Sequence, residues 1–173
     1  DDRVIRYARW NGSSFVRETV DSASLAGAHT SLRLDAAGNP AIAYVGSSAG
    51  ARALRFARKN AGTWSLQTAF SSEGLNSLSL ALDARGDPHI AFFVQGWDWD
   101  LLYTRWTGSA WATQGVDTLG LKGEYASLAI DAAAVVISDK PLTEYVPLQQ
   151  KGDAEIFTQF SMDDVAKLGL LKM

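Results

Sequence analysis

The sequence contains no cysteine, so disulfides and thiolate metal sites are excluded and the redox compartment cannot be read. Histidine is nearly absent. His29 and His89, without cysteine, form a poor ligand set for a metal, and neither has a convincing partner acid and serine nucleophile in the sequence. Positive charge is not in excess: the net charge of −3 gives no general reason to expect nucleic acid, which usually calls for a basic patch. No apolar run nears the roughly 18 residues of a membrane span, so no membrane partner is expected. The phosphate-cradling pattern G-x-x-x-x-G-K-[ST] does not occur. A signal peptide and an initiating Met are also missing. The chain is expected to be mature, trimmed or a fragment.

What is present is globular in character, with 47% hydrophobic and 20% charged residues over a length that suits one domain. Its distribution is uneven. All 10 arginines and all 6 tryptophans precede residue 132, whereas the last 42 residues hold 4 of the 6 lysines and both methionines.

A repeat accounts for the first part. "SLRLDAAGNP" (31–40), "SLALDARGDP" (79–88) and "SLAIDAAAVV" (127–136) place Asp35, Asp83 and Asp131 at intervals of 48 residues. "IRYARWNGSSF" (5–15), "LRFARKNAGTW" (54–64) and "LLYTRWTGSAW" (101–111) keep the same period within one residue through Phe15, Trp64 and Trp111. Within each unit apolar residues alternate, as in Leu32/Leu34 and Leu80/Leu82, which predicts half-buried strands. "AAGNP" and "ARGDP" supply the turn into a second strand, "AIAYV" or "HIAFFV". A third strand, "ALRFARK" or "LLYTRW", and a fourth, "TWSLQTAF" or "AWATQGV", complete the unit.

Four antiparallel strands in 48 residues is the size of a propeller blade. Residues 3–131 resemble bacterial β-propeller repeats of the sialidase-like and kelch-like type. The turn "NAGTW" is similar to the Asp-box turn of such proteins, but is one residue short and has Asn60 in place of the acid. Residues 31–70 and 77–117 are expected to form two full blades, 3–20 the outer half of another, and 125–131 the start of a fourth. A closed propeller typically needs four to eight blades, so residues 1–131 are read as incomplete, with open edges prone to self-association. The recurring Tyr7, Phe56 and Tyr103, with Phe15, Trp64 and Trp111, are expected in the core. Arg9, Arg58 and Arg105 recur too; a sialidase-like site would need such arginines to converge on a carboxylate, and repetition favours a structural role.

Residues 132–173 change character. "AVVIS" predicts a strand, Asp139-Lys140-Pro141 a turn, "LTEYVPL" an extended stretch, Lys151-Gly152-Asp153 a turn and "AEIFTQF" a strand. A short helix is expected after the N-cap Ser161, with Asp164 as capping partner and Gly169 at its end, before a strand in "LLKM". The order "AAxVVIS", "PLTEYVPL", "TQFSMDDV", "LGLLKM" resembles the palm segment of the bacterial DNA polymerase III α subunit across all 42 residues. The resemblance implies a catalytic aspartate immediately after the LLKM strand, beyond Met173, and paired aspartates far upstream that have no equivalent here. The family usually carries His where this chain has Asp131. It also implies that Lys172 would approach an incoming triphosphate, that DNA would be a partner only of a complete polymerase, and that Mg²⁺ would be needed only there; for the chain alone no cofactor is expected.

Mainly β structure is therefore expected: a partial propeller with a small α+β C-terminal appendage, the two joined between Asp131 and Ala134. The rival reading is a degenerate last repeat followed by a capping tail. No catalytic residue is assigned. Asp163 and Asp164 are adjacent at a helix start, where they suit the helix dipole better than a two-metal site. Trp97, Asp98, Trp99 and Asp100 in "QGWDWD" form a candidate ligand loop, with tryptophans to stack on a sugar and carboxylates to accept hydrogen bonds or hold a cation. The counterpart in the first full blade, "GSSAGAR", lacks these residues. Expected partners are thus a carbohydrate or protein on a propeller face. The repeats suggest a secreted or surface location and the polymerase-like tail a cytoplasmic one. Function is expected to be non-catalytic, the alternatives being an inactive polymerase fragment and a carbohydrate-binding or glycosidase-like propeller fragment.

Overall fold

The computed structural model describes residues 4–22, 28–96, 100–117 and 125–131, and the backbone of four later strands, Ala134–Ser138, Leu148–Lys151, Glu155–Thr158 and Leu171–Lys172. Every regular element among the described residues is a strand. The helix expected between Ser161 and Gly169, the turn at Asp139–Pro141 and most of the "LTEYVPL" stretch lie outside the described residues.

Two four-stranded antiparallel sheets form the centre. The first contains β3 (Ala28–Leu34), β4 (Pro40–Ser48), β5 (Ala51–Asn60) and β6 (Thr63–Ser71), in that spatial order. The second contains β7 (Leu75–Leu82), β8 (Pro88–Val94), β9 (Asp100–Trp106) and β10 (Trp111–Asp117), again in chain order. Ahead of them, β1 (Ile5–Trp10) and β2 (Phe15–Asp21) form a two-stranded sheet. These simple meanders arise because each strand ends at a short turn that can only fold back on its neighbour. The architecture is consistent with part of a β-propeller, and among the described residues no sheet closes into a barrel.

The turns repeat as the sequence does. Asp35 Oδ1 accepts the N–H of Ala37 (3.0 Å) and Asn39 (2.8 Å), and Asp83 Oδ1 accepts those of Arg85 (2.9 Å) and Asp87 (2.8 Å). Gly38 (φ 78°) and Gly86 (φ 82°) occupy the left-handed position these turns demand, and each donates its N–H to the Asp carbonyl. Only a residue without a Cβ adopts that conformation at little cost.

Consecutive sheets meet through equivalent contacts. Trp64 stands edge-on to Tyr7 at 5.7 Å and Trp111 edge-on to Phe56 at 5.6 Å. Each indole N–H reaches an acceptor on the preceding sheet: Trp64 Nε1 to Glu18 Oε2 and Trp111 Nε1 to Gln67 Oε1, both 3.1 Å. At the inner ends Leu80 N–H donates to Ser31 Oγ and Leu128 N–H to Ser79 Oγ, both 3.1 Å. Apolar residues between these bonds make the core, with Phe92, Leu80, Ile90 and Leu54 fully enclosed.

One expected core residue is not in the core. Phe15 is 62% exposed, because the preceding sheet that would cover it, as Tyr7 covers Trp64, is absent among the described residues. Its ring meets Trp10 of its own hairpin edge-on at 5.2 Å.

The third copy of the repeat does not stop at its hairpin. β11 (Ser127–Asp131) pairs antiparallel with β12 (Ala134–Ser138), and β12 pairs with β15 (Leu171–Lys172). Leu32 faces Ile42 and Leu80 faces Ile90, ten residues on, whereas Leu128 faces Ile137, nine residues on. The Asp-capped turn has been replaced by a tighter reversal in which Asp131 itself pairs with Ala134. A second hairpin, β13 (Leu148–Lys151) with β14 (Glu155–Thr158), follows, with β14 beside β11. The expected strands in "AVVIS", "AEIFTQF" and "LLKM" correspond to β12, β14 and β15.

Candidate functional site

The ligand loop singled out in the sequence joins β8 to β9. At its base Gln95 N–H donates to Gly74 O at 2.7 Å. Gly74 permits that approach: a Cβ there would lie 1.7 Å from the Gln95 carbonyl oxygen. Trp97, Asp98 and Trp99 lie outside the described residues. Asp100 opens β9 opposite Val94 and is partly buried, with Oδ1 enclosed and lacking a hydrogen-bond partner among the described residues. The first sheet has a two-residue turn here, with Ser48 opposite Ala51, so the long loop is a local departure from the repeat. Lys172 pairs through its backbone with Val136 in the third sheet. The structure does not bring it together with the Trp97–Asp100 loop in any described contact.

Two buried polar clusters were not visible in the sequence. Around Asp83, the His89 ring lies with Nε2 3.8 Å from the carboxylate and Nδ1 2.5 Å from Tyr103 Oη. Burial pushes His89 below its ordinary pKa, against the opposing pull of Asp83. Burial would raise Asp83, but the backbone N–H groups of Asp87 and Arg85, with His89 and Arg85 beside it, bring it below the usual carboxylate value. An acid, an imidazole and a phenol therefore stand in line, but His89 is held by its neighbours rather than presented to solvent; it braces β8 against β9. The link forms because Ala81 pairs with His89 and His89 with Arg105, a closure that spacing alone does not reveal.

The other cluster joins β2 to the first sheet. Tyr44, fully buried, donates its Oη–H to Asp21 Oδ2 at 2.6 Å, and Arg55 Nε lies 3.9 Å from the same oxygen. Burial, and then the bond to Asp21, drive the phenol's pKa far upward. On the outside, Lys59 Nζ sits 2.5 Å from Glu18 Oε2, and this bond holds the Glu18 carboxyl below its ordinary value.

The repeated arginines do not converge. Arg58 Nη2 donates to the Gly86 carbonyl of the next sheet and its guanidinium lies over Phe56, whereas Arg9 and Arg105 are exposed. Among the described residues no three His, Asp or Glu side chains gather as metal ligands, and Asp163 and Asp164 lie outside them. The described donor set therefore does not fit a two-metal centre.

Comparison with known proteins picks out the C-terminal part of the chain. Residues 114–173 match the family described as Bacterial DNA polymerase III alpha NTPase domain. The DNA polymerase III subunit alpha of Aquifex aeolicus (strain VF5) is 46% identical over 55 residues, covering 32% of this chain and 5% of that protein. That of Bacillus subtilis (strain 168) is 52% identical over 42 residues, 24% of this chain and 4% of that protein. That of Staphylococcus aureus (strain Mu50 / ATCC 700699) is 42% identical over 53 residues, 31% and 5% respectively. The chain spans 5% or less of the length of these curated relatives. Among solved structures, a fucose lectin from Kordia zhangzhouensis in complex with methyl-fucoside has a TM-score of 0.45 and 19% identity, over 64% of this chain and 80% of that one. The polymerase match begins within β10, ahead of Asp131, and takes in the third copy of the repeat.

Proposed function

We propose that this chain is a β-sheet scaffold of the binding type with no catalytic activity of its own, in which propeller-like repeats join a strip of polymerase-like sequence between Asp131 and Ala134, the family match reaching back from there over the third repeat copy to residue 114. The observation that carries this reading is the pairing of β11 with β12 across that junction. In this reading Ala134–Ser138 spends its backbone hydrogen bonds on extending a repeat sheet, a structural use. Mg²⁺ and DNA belong to a complete polymerase in this reading. A primer-extension assay with the purified chain, primed DNA, nucleotides and Mg²⁺ tests it. No incorporation above the protein-free control is expected, and template-dependent extension would overturn the reading by favouring a functional polymerase piece.

A second reading has its own support in Asp100, whose enclosed Oδ1 lacks a partner among the described residues at the end of the Trp97–Trp99 loop. Such an oxygen suits a sugar hydroxyl or a cation, with the indoles as stacking surfaces. Binding to a glycan array that is lost in both Trp97→Ala and Asp100→Asn is the expected result. Retention of the same binding in both variants would exclude this loop.

A further inference from the structure

Two strands, β1 and β2, stand ahead of the first full sheet and two, β11 and β12, follow the second, and the two pairs are complementary halves. β1 and β2 match the third and fourth strands of the full sheets: Tyr7, Phe56 and Tyr103 share a register, as do Phe15, Trp64 and Trp111. β11 and β12 match the first and second strands, with Ser127 at the position of Ser31 and Ser79. In the full sheets the third strand, β5 or β9, is paired on both sides. The outer edge of β1 pairs with no strand among the described residues.

Two further vacancies lie on the same side. Leu80 and Leu128 are 0% and 4% exposed because the preceding sheet covers them, whereas Leu32 is 45% exposed. Leu34 is exposed as well. Leu80 N–H and Leu128 N–H each bond the Ser Oγ of the preceding sheet, and Leu32 N–H has no such acceptor among the described residues. Among the described residues the free edge of β1, the bared leucines and the Leu32 N–H all fit one complement: the two inner strands of a blade, with a serine at the Ser31 position.

We propose that a second copy of this chain supplies that object, its β11 and β12 pairing with β1 and β2 to make a composite four-stranded sheet. Ser127 of the second copy accepts the Leu32 N–H, and its β11 covers Leu32 and Leu34, continuing the interface already present twice within one chain. Two copies then exchange halves reciprocally around a twofold axis. The described residues of each copy contribute two whole sheets and two halves, six sheets for the pair, within the four to eight that close a propeller. Closure removes the exposed edge of β1, which would otherwise invite unspecific pairing. In the single chain β15 meets β12 over two residue pairs, at Val136 and Ile137. β1 offers six residues to the five of β12, so exchange replaces a short pairing by a longer one, and the reciprocal interface also takes the place of β14 beside β11.

The register is fixed by the full sheets. Ile42 faces Ala57 and Ile90 faces Thr104, which places Ile137 of one copy opposite Ala8 of the other. Because the chain has no cysteine, engineered thiols report on this pairing alone. Sedimentation equilibrium of the full chain is expected to give twice the single-chain mass of 18.6 kDa. Mixing Ala8→Cys with Ile137→Cys chains under oxidising conditions is expected to yield a linked pair carrying one thiol from each. Leu32→Asp with Leu34→Asp, at positions already exposed in the single chain, is expected to give a monomer with unchanged far-ultraviolet dichroism. A single-chain mass at all concentrations, an open-ended ladder of masses, or a dimer that ignores both the leucine substitutions and the thiol pairing would overturn the proposal.

Discussion

Ser79 Oγ accepts the N–H of Leu128, 49 residues further along the chain, at 3.1 Å, and Ser31 Oγ accepts that of Leu80 over the same interval and distance. A hydroxyl within each inner strand sets how the next sheet docks. Its position in the third copy, beyond which the sequence changes character, shows that β11 is seated as a repeat strand.

Replacing Ser79 by Ala leaves the Leu128 N–H without its acceptor in a buried setting. A loss of about 1–3 kcal/mol is expected from urea unfolding. Ser31→Ala should cost less, because the Ser31–Leu80 bond is only partly buried.

Gly74→Ala would drive a Cβ into the Gln95 carbonyl and must displace the base of the β8–β9 loop. A cost of about 1–3 kcal/mol is expected, as for other overpacked positions. Gly96→Ala is the control: nothing lies within 4 Å of its Cβ position, so its unfolding midpoint should scarcely move.

Tyr44→Phe removes the hydroxyl that donates to Asp21 at 2.6 Å without changing ring volume. A hydrogen bond to a charged acceptor suggests a loss of about 1.5–3 kcal/mol. Chemical denaturation at neutral pH checks it.

The pH dependence follows from His89. Burial lowers its folded pKa below the ordinary value of 6.5, so the unfolded chain takes up the proton more readily. The associated stability is fully present above about pH 6.5 and declines as the pH falls toward the lower folded value. Asp83, also lowered, adds a second loss at more acidic pH. Denaturation midpoints measured between neutral and mildly acid pH should fall, and His89→Ala, which installs the residue found at the equivalent Ala41, should remove the first part of that fall.

Much of the strand order was legible because the turns are local: Asp35 and Asp83, with a glycine three residues on, dictate reversals whose bonds lie within five residues. What covers a residue is not local. Phe15 and Trp64 occupy the same register, yet one is exposed and the other half-buried, because only Trp64 has Tyr7 in front of it. The His89–Tyr103 contact was equally hidden, since it needs β8 and β9 to be paired before the two rings meet. The β11–β12 pairing was obscured because Ala134, Val135 and Val136 stand where the earlier copies have Gly, Asn or Asp, and Pro, which removes the Gly–Pro signature while leaving a strand able to pair. Of the candidate ligand loop, Asp100 alone falls among the described residues, and its enclosed oxygen is a feature that composition could not disclose.

Backbone amide exchange across residues 127–138 tests most directly whether the polymerase-like stretch completes a repeat sheet. Amides bonded between Ser127–Asp131 and Ala134–Ser138 should be protected together and lose protection in one cooperative opening. Protection confined to 127–131, with 134–138 exchanging at the rate of an unfolded peptide, would contradict it.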